Sequence, residues 1–130
     1  MRATKVADGN ITPSSFVVFT TAVGRVILAT GTTVPLWGIS FPGQRQAPWA
    51  PLQDGFVAVQ GENCGVYGPG ENEVLLQIGG TVSQGDYLTS DGSGHGVTTT
   101  STGAFVGAEA LQPGKSGDII SVRVFNSYEY

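Results

Sequence analysis

Charged side chains are scarce in this sequence: Lys, Arg, Asp and Glu make up 12% of it, against about a quarter in an average soluble domain. Its six basic residues are scattered along the chain: Arg2, Lys5, Arg25, Arg45, Lys115 and Arg123. Ten acidic residues bring the formal net charge to −4 at pH 7. A surface that follows a nucleic-acid backbone needs clustered Lys and Arg. The composition therefore argues against a nucleic-acid partner.

Long apolar runs are also missing. The first fifteen residues lack the apolar segment of a signal peptide, and no stretch approaches the roughly 18 apolar residues that cross a bilayer. We therefore expect no membrane partner. Cys64 is the single cysteine, which excludes an internal disulfide and fits synthesis in a reducing cytoplasm.

Residues that carry catalysis are equally few. His95 is the single histidine and falls in a Gly-rich turn, with no second His or Cys at the spacing of metal ligands. A pair of Cys64 and His95 has no residue to orient it. The glycines at 92, 94 and 96 precede neither a helix nor the Lys of a phosphate loop. We therefore expect no enzymatic activity, no cofactor and no metal.

Carboxylates in turns leave two smaller alternatives open. Asp86, Asp91 and Asp118 each adjoin a glycine, and such a carboxylate usually accepts hydrogen bonds from the backbone amides of its own turn. The alternative is that these oxygens bind calcium. The glutamates of residues 61–73 leave a third and weaker hypothesis, the carboxylate pair of a small glycoside hydrolase.

Glycine and proline are abundant, with 20 Gly and 7 Pro among 130 residues, and no apolar period of 3.6 residues is long enough for a helix. Apolar residues reach 40%, enough for a packed core. The chain is therefore predicted to be all-β: a compact antiparallel sandwich or barrel of roughly eight or more short strands. Residues 16–130 are predicted to form one domain.

Strand patterns occur at residues 16–19, 25–29, 34–40, 56–60, 74–78, 87–90, 97–100 and 122–125. The step Asp91-Gly92 predicts a hairpin between its two neighbouring strands. Residues 74–78 (VLLQI) are apolar enough to predict a strand that is buried on both faces.

Two segments lack strand patterns. Residues 1–15 are polar without a sustained period, and we expect a flexible N-terminal arm that is ordered only when something holds it. Residues 41–55 (FPGQRQAPWAPLQDG) contain prolines that disfavour ladder pairing, which predicts an excursion from the sheet. Trp49, at its centre, is either a lid on the barrel end or a contact for a partner chain.

One short pattern occurs twice. Residues 82–88 (VSQGDYL) and 112–122 (QPGKSGDIISV) each place a polar turn before a Gly-Asp step, which then opens a strand alternation. Together with residues 105–111 (FVGAEAL), they resemble the small capsid decoration (cement) proteins of tailed bacteriophages. The resemblance covers residues 74–125.

The resemblance implies a β-rich, often trimeric protein without an active site. Such a protein sits on the exterior of an icosahedral shell and bridges neighbouring subunits of the major capsid protein. Expected partners are thus the major capsid protein and further copies of this chain, in a homotrimer. The expected location is the outside of the virion, after assembly in the host cytoplasm.

If the resemblance holds, the two segments without strand patterns are predicted to contact the capsid or neighbouring subunits. Their candidate contact residues are Arg2, Lys5, Pro42, Arg45, Pro48, Trp49 and Pro51. The alternative function is that of a carbohydrate-binding β-module. In that case sugar rings would stack on Trp37, Trp49, Tyr67 and Tyr87.

Overall fold

A computed structural model describes residues 2–20, 24–31, 35–42, 46–47, 50–51, 56–99 and 104–129. Within these ranges twelve strands follow one another without a helix, which confirms the all-β prediction. They are β1 (Arg2–Ala7), β2 (Phe16–Phe19), β3 (Arg25–Leu28), β4 (Gly38–Ser40), β5 (Gln46–Ala47), β6 (Ala50–Pro51), β7 (Asn63–Tyr67), β8 (Val74–Gln77), β9 (Tyr87–Ser90), β10 (Gly96–Thr98), β11 (Phe105–Ala110) and β12 (Ile119–Glu129).

Five strands close into a barrel in the order β1-β3-β2-β4-β7. β1 and β3 run parallel, and the other pairs of the barrel are antiparallel. The predicted hairpin of β2 and β3 is confirmed, with Val18 opposite Ile27. The barrel interior is filled by Ala7, Ile11, Val17, Val26, Ala58, Cys64 and Val66.

The N-terminal segment belongs to this barrel, so the prediction of a separate arm was wrong for its described residues. β1 pairs along most of its length with β7, from Arg2 opposite Tyr67 to Val6 opposite Asn63. Further along, Ile11 is fully buried. Because the pairing partner of β1 lies about sixty residues away, no local sequence pattern predicts this strand. The tendency of a segment to form a strand depends on such neighbours.

Two predicted strands are shorter in the structure. Of residues 35–40, the described part of the first of these, only the three of β4 form a strand. Residues 56–60 contribute a single bridge, from Ala58 to Ile11. The chain turns directly after this bridge, because the Glu62 carboxylate accepts the Val59 N–H at 3.0 Å and thereby favours a turn over a continued ladder.

The described residues of the Pro-rich excursion lie outside the two larger sheets, as predicted, but they pair with each other where no ladder was expected. β5 and β6 form a small antiparallel ladder, with Gln46 opposite Pro51 and Ala47 opposite Ala50. A ladder of two strands has only edge strands, and an edge strand tolerates proline.

The second layer is a five-stranded antiparallel sheet in the order β10-β9-β11-β12-β8. Its inner face packs on one side of the barrel, and the shared core includes Phe16, Leu36, Ile39, Leu76, Leu88, Ile120 and Val122. β8 is an edge strand of this sheet, and Leu75 is 42% exposed. The prediction that β8 is buried on both faces was therefore wrong.

The two copies of the Gly-Asp pattern form the same turn. The first copy turns at Gly85, whose φ is 90°, and the Asp86 carboxylate accepts the Ser83 N–H at 2.9 Å. The second copy repeats these features 32 positions later in the sequence, with a φ of 91° and a distance of 3.1 Å, at Gly117, Asp118 and Lys115. The interpretation of these aspartates as turn-holding residues is confirmed.

These two turns also bind each other. Val82 N donates to Gly114 O at 2.9 Å, and Gly114 N donates to Val82 O at 3.1 Å. Each turn then docks on the strand that precedes the other turn, with Gly85 N 2.8 Å from Ala110 O. The corresponding bond of the second copy joins Gly117 N to Ile78 O at 2.9 Å. The reciprocity defines a local pseudo-twofold relation between residues 74–90 and 106–122.

A third turn connects the sheet to the barrel. The predicted hairpin of β9 and β10 is confirmed, and the Asp91 carboxylate accepts the N–H groups of Ser93 and His95 at 2.8 and 3.0 Å. In the same turn Gly94 O accepts the Phe16 N–H at 2.8 Å. Gly94 has a φ of 80°, and a Cβ there would lie 2.7 Å from Leu28 Cδ1. Glycine is therefore required where this turn meets the barrel.

Replacing Asp118 with Ala removes the acceptor for the Lys115 N–H, and we expect the free energy of unfolding to fall by about 1 kcal/mol. Gly117→Ala forces a side chain into the positive-φ region and is expected to cost about 1–2 kcal/mol. Lys115→Ala keeps the backbone N–H and is the control, with a loss below about 0.5 kcal/mol. Urea unfolding measures all three. Equal stability of the Asp118 and Lys115 variants would contradict the proposed hydrogen bond.

Candidate interaction site

A surface cleft of about 240 Å³ lies where the end of β7 meets the start of β8. Its lining residues are Pro42, Tyr67, Glu71, Asn72, Glu73, Val74 and Leu75. The Tyr67 ring is held in place by Phe41, with ring centres 4.5 Å apart. Pockets for small molecules usually measure about 300–1,000 Å³. This cleft is smaller, and it suits the side chain of a partner protein better than a cofactor.

The lining of the cleft is acidic. Glu71 and Glu73 contribute two carboxylates, and no His, Cys, Lys or Arg is among its described lining residues. The backbone of Glu71 is fixed, because its carbonyl accepts the Val124 N–H at 2.9 Å. The third glutamate of the hydrolase hypothesis, Glu62, instead holds the turn at Val59. The cleft therefore favours basic or amide side chains as ligands.

A second candidate surface combines a cation with two aromatic rings. The Lys5 ammonium lies 5.7 Å from the centre of the Phe19 ring and 5.4 Å from that of Trp37. The two rings are 5.0 Å apart, and Phe19 is 47% exposed. This geometry is that of a cation–π interaction. The arrangement presents exposed aromatic surface beside a positive charge on the barrel.

The predicted contact residues fall into three groups in the structure. Lys5 belongs to the aromatic surface just described, and Pro42 lines the cleft. Arg2 and Pro51 lie in β1 and β6, where only their backbone is described. The remaining three lie outside the described residues: Arg45, Pro48 and Trp49. Of the seven, the structure thus places two on candidate surfaces, and it does not bring these two into one site.

The aromatic residues of the carbohydrate hypothesis do not share one platform. The three whose rings are described each pack against a different ring: Trp37 against Phe19, Tyr67 against Phe41, and Tyr87 against Phe125. Trp49 lies outside the described residues. The three described residues of this hypothesis therefore do not form a common stacking surface.

The two residues of the thiol–imidazole hypothesis lie in different layers. Cys64 is buried inside the barrel, and burial raises the pKa of its thiol to about 11. His95 lies in the turn between β9 and β10, with Nδ1 3.9 Å from Asp91 Oδ2. In the part of the chain that the structure describes, no group of three His, Cys, Asp or Glu residues is arranged to hold a metal. The same part contains no helix long and apolar enough to span a membrane.

Comparison with known proteins identifies a similar fold in a bacteriophage. No protein family and no curated protein matches this chain. Among solved structures, the N base of head fiber gp8.5 of bacteriophage phi29 matches with a TM-score of 0.58 and 16% sequence identity. The match covers 100% of this chain and 98% of that chain. At this identity the likeness shows a common fold over the whole length.

The raised pKa of Cys64 predicts slow alkylation. At pH 8 a thiol with a pKa of about 11 has about a hundredth of the thiolate fraction of an ordinary cysteine. We therefore expect iodoacetamide to alkylate Cys64 at least about 100-fold more slowly in the folded protein than in the protein unfolded in urea. Since the folded-state pKa lies above the usual 9.0, the contribution to stability is complete below about pH 9 and is lost as the pH rises through 11. Mass spectrometry measures the reaction, and equal rates in both states would contradict the burial of Cys64.

Proposed function

We propose that this chain is a structural protein of a bacteriophage virion, which binds the outer surface of an icosahedral capsid and stabilises it by bridging neighbouring major capsid subunits. The observation that carries the proposal is the likeness in fold, over the full chain, to the base of a phage head fiber. Fold alone does not determine function. Further support comes from the residues of the sequence and from the candidate surfaces.

The sequence supports the same class of function independently. The segments that resemble capsid decoration proteins, within residues 74–125, contain the two paired Gly-Asp turns. These turns build the five-stranded sheet, so the resemblance covers a complete structural unit rather than scattered positions.

We further propose that the protein has no catalytic activity, that it forms a homotrimer on the virion exterior, and that it assembles in the host cytoplasm. The two candidate surfaces suit protein contacts and so support a binding role. An acidic cleft and an exposed cation–aromatic cluster provide charge and apolar area for a protein partner. Interfaces between proteins characteristically combine aromatic anchors with a polar rim.

We assign the contact with the major capsid protein to the cleft. Pro42 is exposed on the wall of a cleft that is otherwise formed by β7, β8 and the loop between them. A basic or amide side chain of the capsid subunit would meet Glu71 and Glu73 there, with its aliphatic part against Pro42 and Tyr67. Long basic side chains bury their methylene groups in this way while the charge stays paired.

Pro42→Glu adds a third carboxylate to the cleft and tests this assignment. We expect the variant to bind capsid shells at least about 10-fold more weakly, a change of about 1.4 kcal/mol. The control is Gln112→Glu, which adds the same charge at an exposed position outside the cleft and should change binding less than about 2-fold. Co-sedimentation with shells assembled from the major capsid protein measures both.

The two possible failures of this experiment are distinct. If the unmodified chain does not co-sediment with the shells, the capsid function is wrong. If the chain binds and the Pro42 and Gln112 variants bind equally well, the function stands and the assignment of the cleft is wrong.

A further inference from the structure

One face of the five-stranded sheet is largely exposed along β8, β12 and the start of β9. Cross-strand neighbours lie on the same face of a sheet, and the register places Leu75 opposite Ser121, Gln77 opposite Ile119, and Glu109 between Arg123 and Tyr87. The opposite face packs on the barrel. We call the exposed face the outer sheet face; its residues are Leu75, Gln77, Tyr87, Glu109, Ile119, Ser121, Arg123 and Phe125. Leu75 lies at its border and also lines the cleft.

The outer sheet face exposes more apolar surface than a solvated sheet needs. Leu75 and Tyr87 are each 42% exposed and Ile119 is 53% exposed. These are three of the five large hydrophobic residues that are exposed in the described part of the chain. The solvent side of an antiparallel sheet is ordinarily polar, whereas contiguous exposed apolar area marks an interaction surface.

The composition of this face is that of an interface. Its aromatic rings are Tyr87 and Phe125, which pack edge to face with centres 6.2 Å apart. The Arg123 guanidinium lies 5.7 Å from the centre of the Phe125 ring and pairs with the Glu109 carboxylate. Tyr, Phe and Arg are enriched in protein interfaces, and the outer sheet face contains one of each.

Charge decides which partner fits. The face carries one positive and one negative side chain, Arg123 and Glu109, so it is neutral and complementary to itself. Because Arg123 and Glu109 already pair within each chain, a second copy of the same face leaves no charge buried without a partner. A strongly charged partner surface would bury uncompensated charge.

We propose that the outer sheet face is the surface through which copies of this chain associate with one another. This inference rests on the self-association included in the proposed function and gives it a location. In a closed ring the faces turn toward the symmetry axis. The apolar side chains of neighbouring copies then pack together around the Arg123–Glu109 pair of each chain.

Ile119→Arg places a charge at the most exposed apolar position of the face. The matched control is Ile27→Arg on β3 of the barrel, where Ile27 is 36% exposed. In analytical ultracentrifugation at about 10 µM we expect the unmodified chain and the control to be oligomeric. The Ile119 variant should be monomeric, with dissociation at least about 100-fold more favourable.

A charge exchange supplies a second test that does not depend on the Ile119 variant folding. Glu109→Arg gives a face with two positive charges, and Arg123→Glu gives a face with two negative charges. Each variant alone should associate at least about 10-fold more weakly than the unmodified chain, and a mixture of the two should associate again.

A monomeric unmodified chain at about 10 µM overturns the inference, and so does an oligomer that persists in the Ile119 variant or in both charge variants. Failure of the proposed capsid function is distinguishable, since an oligomer that depends on Ile119 but does not co-sediment with shells leaves the inference intact.

Discussion

The reciprocal pair of hydrogen bonds between Val82 and Gly114 is the constraint on which the sheet depends. These two bonds hold together two turns that are 32 residues apart in the sequence, and each turn docks on the strand that precedes the other. The crossing brings β8 beside β12 and β9 beside β11. Because residues 74–90 and 106–122 have the same register, the apolar residues Leu76, Leu88 and Ile120 lie on one face of the sheet and pack against the barrel.

Glycine and aspartate form the two paired turns for physical reasons. A turn at a φ near 90° is nearly closed to side chains, so Gly85 and Gly117 supply it at little cost. The aspartate that follows each of them satisfies an amide that the turn leaves unpaired. A Cβ at Gly114 would lie 2.8 Å from Ile120 Cγ2, so the crossing is also a close approach of backbone to core. The high glycine content of the chain is thus partly explained.

Local signals predicted the elements whose partners are close in sequence. The hairpins of β2 with β3 and of β9 with β10 follow from alternation and turn residues, and the turns of Asp86, Asp91 and Asp118 follow from side-chain chemistry. Long-range pairing was not predictable from such patterns. β1 finds β7 far along the chain, and the exposure of Leu75 depends on β8 being an edge strand.

The candidate surfaces were predicted only in part. The sequence predicts Lys5 and Pro42 as contact residues because their segments lack strand patterns, and the structure places both on candidate surfaces. The cleft brings Pro42 against residues 67–75, and sequence patterns do not show such proximity. The outer sheet face had a usable signal: β8 and β12 place Leu75 and Ile119 at the alternate positions where a solvated strand carries polar side chains.

The account is one of a protein that acts by binding, with the cleft directed toward the capsid and the outer sheet face toward its own copies. Electron cryomicroscopy of capsid shells incubated with the purified chain tests this most directly. The account predicts added density on the exterior of the shell, with the outer sheet faces of adjacent copies turned toward one another and the wall at Pro42 in contact with a capsid subunit. Shells without added exterior density, or isolated copies with their outer sheet faces in solvent, would contradict it.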